Sequence, residues 1–446
     1  MQKCTTNELN FATVNRKKVV AVFDAPNVTS DAGALVLREM DRHLGLIERL
    51  SRALNDPRRK THIDHEQVDM LRQRIFQIAC GYPDANDSDS LKSDPAFKVA
   101  VGRDPLADED LASQPTISRL ENTVSVRDLL RIGYALIDQF IASYAKPPEA
   151  IVLDMDPTAD TVYGHQQLAL FNAFEDEYCF MPFHVYEGQT GKLITTVLRP
   201  GKTPTAADII SVLKRLVRRL RKAWPEVRII LRADSHHTKP EVMDWMEAHG
   251  VDYITGLSPN AKLAALFAET IRDAEVRYGR WGGSIRRYAT APYAAATWSQ
   301  ARRVILRAQV TEKGTDVRYI VTSFEDSEPK YLYETAYCGR GRMELMIKDH
   351  KVALASDRTS CHRKEANQFR LFLHSAAYVL LQAIRTQWLQ GTSLATAQFD
   401  TIRLALLKLG ARVEVRTRVL RFHLPASCPY QEIFGRLMQQ AAVESG

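Results

Sequence analysis

The sequence predicts an α/β protein whose N-terminal third is mainly helical. Three observations carry that expectation. Apolar residues recur at helical spacing from about residue 30 to 145. Short apolar runs of strand length begin at Ala150 and then alternate with amphipathic helices. After Asn260 a strand-rich stretch with glycine turns interrupts the alternation.

Taken in order, DAGALVLREMDRHLGLIERLSRAL and DHEQVDMLRQRIFQIACGY place apolar residues three and four apart, as one face of a helix requires. A polar loop, PDANDSDSLKSDP, precedes another amphipathic stretch, VRDLLRIGYALIDQFIASYA, and Pro147-Pro148 ends the helical part. IVLDMD reads as a strand, and CFMPFHVYEGQTGKLITTVLRP as two strands about a turn between Gly188 and Gly191. TAADIISVLKRLVRRLRKAW is a long helix with a basic face, RIILRAD a strand, KPEVMDWMEAHG a helix and DYITGL a strand. The order is therefore β-β-β-α-β-α-β. RRYATAPY, ARRVILRAQV and VRYIVTSF follow as strands, with turn signals at Gly282-Gly283 and Lys313-Gly314, and read as a β insertion. Helices resume near Leu332 and run through NQFRLFLHSAAYVLLQAIRTQWL, and ARVEVRTRVLRFHLP closes the chain with basic strands. The expected parts are a mainly helical region 1–147 suited to binding DNA ends, a core in two pieces (148–259 and 331–390), a β insertion 260–330, and a C-terminal region 391–446 suited to oligomerisation.

Composition narrows the function. The chain has 446 residues, 45% hydrophobic and 25% charged, which excludes a disordered or fibrous protein and leaves room for a large core. A net charge of +7 favours polyanionic partners. There is no apolar run of about 18 residues and no apolar segment near the N-terminus, so neither a membrane span nor a secretory signal is expected. The six cysteines (Cys4, Cys80, Cys179, Cys338, Cys361, Cys428) contain no C-x-x-C pair, which fits neither a disulfide framework nor a cysteine zinc site. A cytoplasmic protein with reduced thiols is expected.

Three acidic positions stand out. Asp154 and Asp156, two apart in IVLDMD, point to the same face of a strand. Asp234 ends the apolar strand RIILRAD, where α/β folds present groups to ligands. Glu344 lies on a helix expected to begin near Ala336, and Tyr337, Arg340, Glu344, Lys348 and Lys351 then fall on one stripe. A turn or cap role for each Asp, and a solvated face for the Glu, are the plain readings. Carboxylates gathered from a sheet and a helix would repel, and an oxygen-preferring cation such as Mg²⁺ or Mn²⁺ resolves that repulsion.

YCGRGRMELMIKDHK fits Tyr-x2-Arg-x3-Glu-x6-Lys without a gap, through Tyr337, Arg340, Glu344 and Lys351. It resembles the signature around the third carboxylate of the DDE transposases encoded by bacterial insertion sequences. LDMDPT resembles the first Asp motif of that group and LRADS the second. GYPDANDSDSLKSDP, LASQPTISRLEN and LRPGKTPTA extend the likeness over nearly the whole chain. The resemblance implies a ribonuclease-H-like catalytic core with a β-strand insertion, and the β-β-β-α-β-α-β order agrees with such a core. It makes Asp156, Asp234 and Glu344 the catalytic, metal-binding triad, with Asp154 a contender for the first place because Pro157 stands where a small residue is usual. Two Mg²⁺ or Mn²⁺ ions about 3.5–4 Å apart would then serve in-line displacement at a phosphodiester. It also implies cut-and-paste movement, with double-stranded DNA as partner, both the element's terminal inverted repeats and target DNA. A homodimer on DNA is expected, with the protein at the bacterial nucleoid when active.

The DNA-contacting candidates are Tyr337, Arg340, Lys348 and Lys351, with four residues of LASQPTISRLENT. That segment reads as a helix-turn-helix recognition helix with Gln114, Thr116, Ser118 and Arg119 on one side, able to reach base edges. In the resembled group an insertion-domain Trp can stack on a flipped base, which points to Trp298, although a Trp opening WSQARRVIL is ordinarily a core residue. KRLVRRLRK reads as a solvated face that could also track phosphates, and His236-His237 as a loop pair without a catalytic role, the alternative being that one of them contacts the scissile phosphate or a carboxylate beside the site. The alternatives are a ribonuclease-H-like nuclease that only cleaves, and a DNA-binding regulator with an inactive core.

Overall fold

The computed structural model describes residues 8–59, 61 and 63–444, so Cys4 lies outside the described residues. The chain opens with strands β1 (Leu9–Val14), β2 (Lys17–Ala21) and β3 (Val28–Thr29). Seven helices follow: α1 (Ala34–Leu44), α2 (Leu46–Ala53), α3 (Gln67–Ala79), α4 (Asp87–Leu91), α5 (Pro95–Val101), α6 (Gln114–Thr123) and α7 (Val126–Ala142). Then come β4 (Ala150–Pro157), β5 (Asp160–Thr161), β6 (Leu170–Asn172), β7 (Glu177–Phe180), β8 (Phe183–Glu187), β9 (Leu193–Val197), α8 (Ala206–Ala223), β10 (Arg228–Ala233), α9 (Pro240–Ala248) and β11 (Val251–Leu257). Helices α10 (Ala261–Leu266) and α11 (Ala268–Trp281) precede β12 (Ile285–Tyr293), β13 (Arg302–Thr311) and β14 (Gly314–Thr322). The last third holds α12 (Pro329–Tyr331), α13 (Gly341–Lys348), α14 (Lys364–Ala383), α15 (Phe399–Ile402), β15 (Ala411–Arg416), β16 (Val419–His423) and α16 (Gln431–Glu444).

The chain divides into two compact units, and the division is not the one expected from sequence. One unit comprises residues 44–58 and 119–382, the other 1–43, 59–118 and 383–446. In the larger unit an eight-stranded mixed sheet runs β12-β13-β14-β11-β10-β4-β8-β9. β10 lies parallel to β4 and β11, β8 runs antiparallel to β4, and β9, antiparallel to β8, shares the direction of β4. One face of this sheet carries Ile151, Leu153, Met155, Ile229, Leu231 and Ala233, buried against Ile137 and Phe140 of α7 and the apolar stripe Ile209, Leu213, Leu216, Val217 and Leu220 of α8. The alternating residues of β4 and β10, among them Asp154, Asp156 and Arg232, face the other way.

The stretch 260–330 differs from the expected β insertion in two respects. It begins with the helices α10 and α11, and its three strands extend the main sheet through the antiparallel β11–β14 pair. Tyr293, Val304, Leu306, Ala308, Tyr319 and Val321 bury into the same core as β4. Strand-length apolar runs look alike whether they form their own sheet or join a neighbour's, so periodicity alone could not separate the two.

The smaller unit is discontinuous. β3 pairs with β15, Thr29 opposite Ala411. Asp31, fully buried, binds Lys408 at 2.8 Å and accepts from the Tyr82 hydroxyl at 2.8 Å, with the Lys408 ammonium 3.8 Å above the Tyr82 ring. Among the described residues no helix is long and apolar enough to cross a membrane.

Candidate active site

The site grows from the register of β4 with β10, which sets Asp154 beside Arg232. Asp154 is fully buried, and Arg232 donates Nε to Oδ1 at 2.6 Å and Nη2 to Oδ2 at 2.7 Å. Such a bidentate fork holds a carboxylate in place and occupies both its oxygens. Burial pushes the Asp154 carboxyl up, and the Arg232 hydrogen bonds and charge pull against it. The guanidinium also donates Nη1 to the Ala336 carbonyl at 2.8 Å, tying the sheet to the helix that follows β14. Two glycines make room for it. A Cβ at Gly188 would lie 2.5 Å from Asp154 Oδ2, and one at Gly339 would lie 2.5 Å from Arg232 Nη1.

Asp156, one strand step further, is about a fifth exposed, and its Oδ2 accepts from Arg340 Nη1 at 3.0 Å. Asp234 follows β10 and caps the short turn Ser235–His237, accepting from the His236 amide at 3.0 Å. Both rings of the following pair close on it, His236 Nδ1 at 2.7 Å and His237 Nδ1 at 3.0 Å. Burial pushes Asp234 up, but the hydrogen bonds and charges of His237 and His236 outweigh it and hold the group well below the usual carboxylate range. Burial raises Asp156; the Arg340 charge opposes this and the Asp234 charge adds to it. The two aspartates therefore feel one another across the ends of adjacent parallel strands.

The helix bearing Glu344 is irregular. It runs from α12 through a π-helical stretch, Leu332–Tyr337, a 3₁₀ turn, Cys338–Arg340, then α13 and a second π stretch, Asp349–Ala353. The pitch therefore changes along the stretch that carries the expected stripe. Arg340 reaches Asp156, and Lys351 reaches the Ala159 carbonyl and stands 3.9 Å from Asp160 Oδ1, so both cations face the segment that leaves β4. Asp160 is fully buried, and neither of its oxygens has a hydrogen-bond partner among the described residues. Burial raises it well above the usual carboxylate range, against the pull of Lys351. Tyr337 is half-buried, its hydroxyl packed at Gly256, while Glu344 and Lys348 are exposed. At about 100° per residue Glu344 stands one turn beyond Arg340 on nearly the same side.

The other candidates are placed differently. α6 is regular, so Gln114 and Ser118 lie on one side and Thr116 and Arg119 on the other, not together as expected. Residues 102–113 separate α5 from α6, which is longer than the three or four residues of a helix-turn-helix connection. Trp298 packs on the core, edge-on to Tyr293 at 5.4 Å and under the Arg302 guanidinium at 5.4 Å.

Comparison with known proteins bears directly on this arrangement. The family model Transposase DDE domain group 1 matches residues 11–443. The chain belongs to that transposase family. Among solved structures it is similar to a piggyBac transposase in a synaptic complex with hairpin DNA, at 12% identity and a TM-score of 0.40, covering 85% of this chain and 80% of that one. No curated protein matches it in sequence. Membership implies a phosphoryl-transfer enzyme, and DDE transposases generally use divalent metals.

The donor set can be weighed against such an ion. Asp156 and Asp234 are hard oxygen donors whose charges oppose each other, a repulsion that a divalent cation relieves, while in this structure Arg340 and the two histidines partner them instead. Among the described residues no three His, Cys, Asp or Glu side chains converge as a metal group, and Glu344 is exposed. The structure thus brings two of the three expected carboxylates together. Arg232 and Asp160 carried no expectation from the sequence, whereas the His236-His237 pair did. Arg232 sits in an apolar strand two residues before Asp234, and a cation there must find a carboxylate. His236 and His237 hold Asp234. Asp160 lies beneath Lys351.

Proposed function

We propose that this chain is the transposase of a bacterial insertion sequence, of the group with the Tyr-Arg-Glu-Lys signature, cutting the element's ends and joining them to target DNA. The observation that carries the reading is the pair Asp156 and Asp234 at the ends of neighbouring parallel strands, with Arg340 of the signature bound to the first. The order β9-β8-β4-β10-β11, in which β8 alone runs against the other four, supports a ribonuclease-H-like core. The DNA partners are the terminal inverted repeats and the target, and the DNA-bound form is a homodimer.

Asp156 and Asp234 would hold Mg²⁺ or Mn²⁺, with Glu344 as third donor from the neighbouring helix. When bound, two such ions supply activation of a water or 3′-hydroxyl and stabilise the leaving oxygen. The chain's own groups do the rest. His236 and His237 fix the orientation of Asp234, as outer partners of a ligand do. Arg340 offers a planar fork to a phosphate once Asp156 is neutralised, and Lys351 a point charge on the same side. Tyr337 and Lys348 flank that path.

The test is substitution with retained shape. Asp156→Asn, Asp234→Asn and Glu344→Gln should each bind a mixed-sequence duplex as well as wild type and abolish Mg²⁺-dependent nicking of a supercoiled plasmid. Nicking at the wild-type rate by the Asp156 or Asp234 variant would overturn the assignment. The same result for Glu344→Gln alone would remove only the third donor.

A further inference from the structure

The basic face of α8 has no part in the site described above. Of its 18 residues six are cations and one, Asp208 in the first turn, is acidic. Two of the cations are used structurally. Arg219 pairs with Asp138 through Nε at 2.6 Å, and Arg221 donates to the His249 and Gly250 carbonyls at 2.6 and 2.8 Å. The other four, Lys214, Arg215, Arg218 and Lys222, are exposed, and none has a carboxylate partner among the described residues. Arg215 only folds back onto the Ser211 carbonyl at 2.8 Å.

Lys214, Arg218 and Lys222 recur every fourth residue, so they form one ladder along the helix, roughly 12 Å long at 1.5 Å per residue. Like charges at this spacing destabilise a helix by about 0.2–0.5 kcal/mol per pair. The C-terminal dipole favours cations in the last turn and so relieves Lys222, but not Lys214. A solvated face that served only solubility would carry acids among these positions and form i,i+4 pairs. Instead the ladder covers the length of about three or four phosphates of one strand at 3.4 Å each.

Its position sets it on the opposite side of the sheet from the aspartates. α8 packs Leu213, Leu216 and Leu220 on the sheet face carrying Leu153 and Met155, whereas Asp154 and Asp156 face the other way. The thickness of the sheet and of a helix about 10–12 Å across lies between the two surfaces. A duplex seated on the outer face of α8 therefore lies on the side of the sheet opposite to Asp154 and Asp156. We infer that the outer face of α8, through Lys214, Arg218 and Lys222 with Arg215 beside them, binds the backbone of a second DNA duplex segment, distinct from the one at the carboxylates. The contact is to phosphates and carries no sequence preference. The inference rests on the reading of the chain as a DNA transposase, since that reading supplies more than one duplex to a single assembly.

The experiment uses the full chain and a triple variant, Lys214→Ala/Arg218→Ala/Lys222→Ala, with a mixed-sequence 30-base-pair duplex as probe. Fluorescence anisotropy is followed between 50 and 200 mM salt, with protein in excess over DNA. Loss of three phosphate contacts should lower the slope of log affinity against log salt by about 2.7, so that wild type loses about 40-fold more affinity than the variant across that range. The charge-preserving variant Lys214→Arg/Lys222→Arg should keep the wild-type slope, and the triple variant should nick a supercoiled plasmid at the wild-type rate. A triple-variant slope within one of wild type overturns the proposal, and so does a loss of poly-glutamate binding without a change in the duplex slope, which would assign the face to an acidic protein. Failure of the transposase reading is read separately, as absence of metal-dependent nicking by wild type.

Discussion

At the scale of single residues, two aspartates one strand step apart have unlike fates. Alternation put Asp154 and Asp156 on one face, and the sequence left open which of them serves the chemistry. The missing information was the register of β4 against β10, which sets Arg232 beside Asp154 and leaves Asp156 at the open end of the strand. No local pattern encodes the pairing of strands that lie 78 residues apart. The difference has a measurable consequence. Asp154→Asn strands a buried guanidinium and should destabilise the protein by about 3–5 kcal/mol, read as a lowered urea midpoint. Asp156→Asn removes a group that is partly solvated and opposed by Asp234, and should change stability by about 1 kcal/mol or less while abolishing nicking. Equal destabilisation by the two would contradict the division between a positioning pair and a ligand.

At the scale of elements, the helices that flank the core are set by signals that can be read directly. α7 opens with Ser125-Val-Arg-Asp128 and α8 with Thr205-Ala-Ala-Asp208, and both form reciprocal capping boxes. The irregular helix carrying Tyr337 to Lys351 is the opposite case. Its π and 3₁₀ stretches arise from tertiary ties, among them Arg232 to the Ala336 carbonyl, which a 100° wheel does not contain. The capping box of α7 carries a prediction. Asp128 is buried, a cost that raises its pKa, but bonds to Ser125 and Arg131 and to the Asn55 amide bring it down to about 2. Its folded value is depressed, so its stabilisation is complete above the unfolded value of roughly 3.9 and is lost as pH falls toward 2. Ser125→Ala should destabilise by about 1 kcal/mol at neutral pH. Asp128→Asn should cost about 2 kcal/mol there and flatten the urea midpoint between pH 5 and 2.5. An unchanged acid limb in the Asp128 variant would place that acid sensitivity on other carboxylates.

At the scale of the whole molecule, the main-sheet strands between Ala150 and Leu257 were legible because apolar runs and amphipathic helices alternate at distinct periods, whereas the short strands β5, β6 and β7, which form a separate sheet, were not expected. The partition into units was not legible either, because it depends on contacts between segments hundreds of residues apart. A boundary at Pro147 looks natural in the sequence, where a helical region gives way to strands. In the structure that boundary passes through both units. α7 belongs with the sheet, since Ile137 and Phe140 are buried beside Ile151 and Leu153. The smaller unit needs residues 383–446, which supply the strand beside Thr29 and the ammonium for the buried Asp31. A fragment of residues 1–147 therefore exposes one face of α7 and leaves Asp31 without its cation, a charge that cannot remain buried alone. The fragment is expected to populate helix without cooperative unfolding, and to be cut by protease within the 119–147 stretch far faster than the full chain. Adding residues 383–446 in trans should restore protection to residues 28–34 in hydrogen exchange, because the β3–β15 pair and the Asp31–Lys408 contact re-form. A sharp, two-state urea transition of residues 1–147 alone would show that the helical region folds independently, and the discontinuous unit would then be the wrong description of this chain.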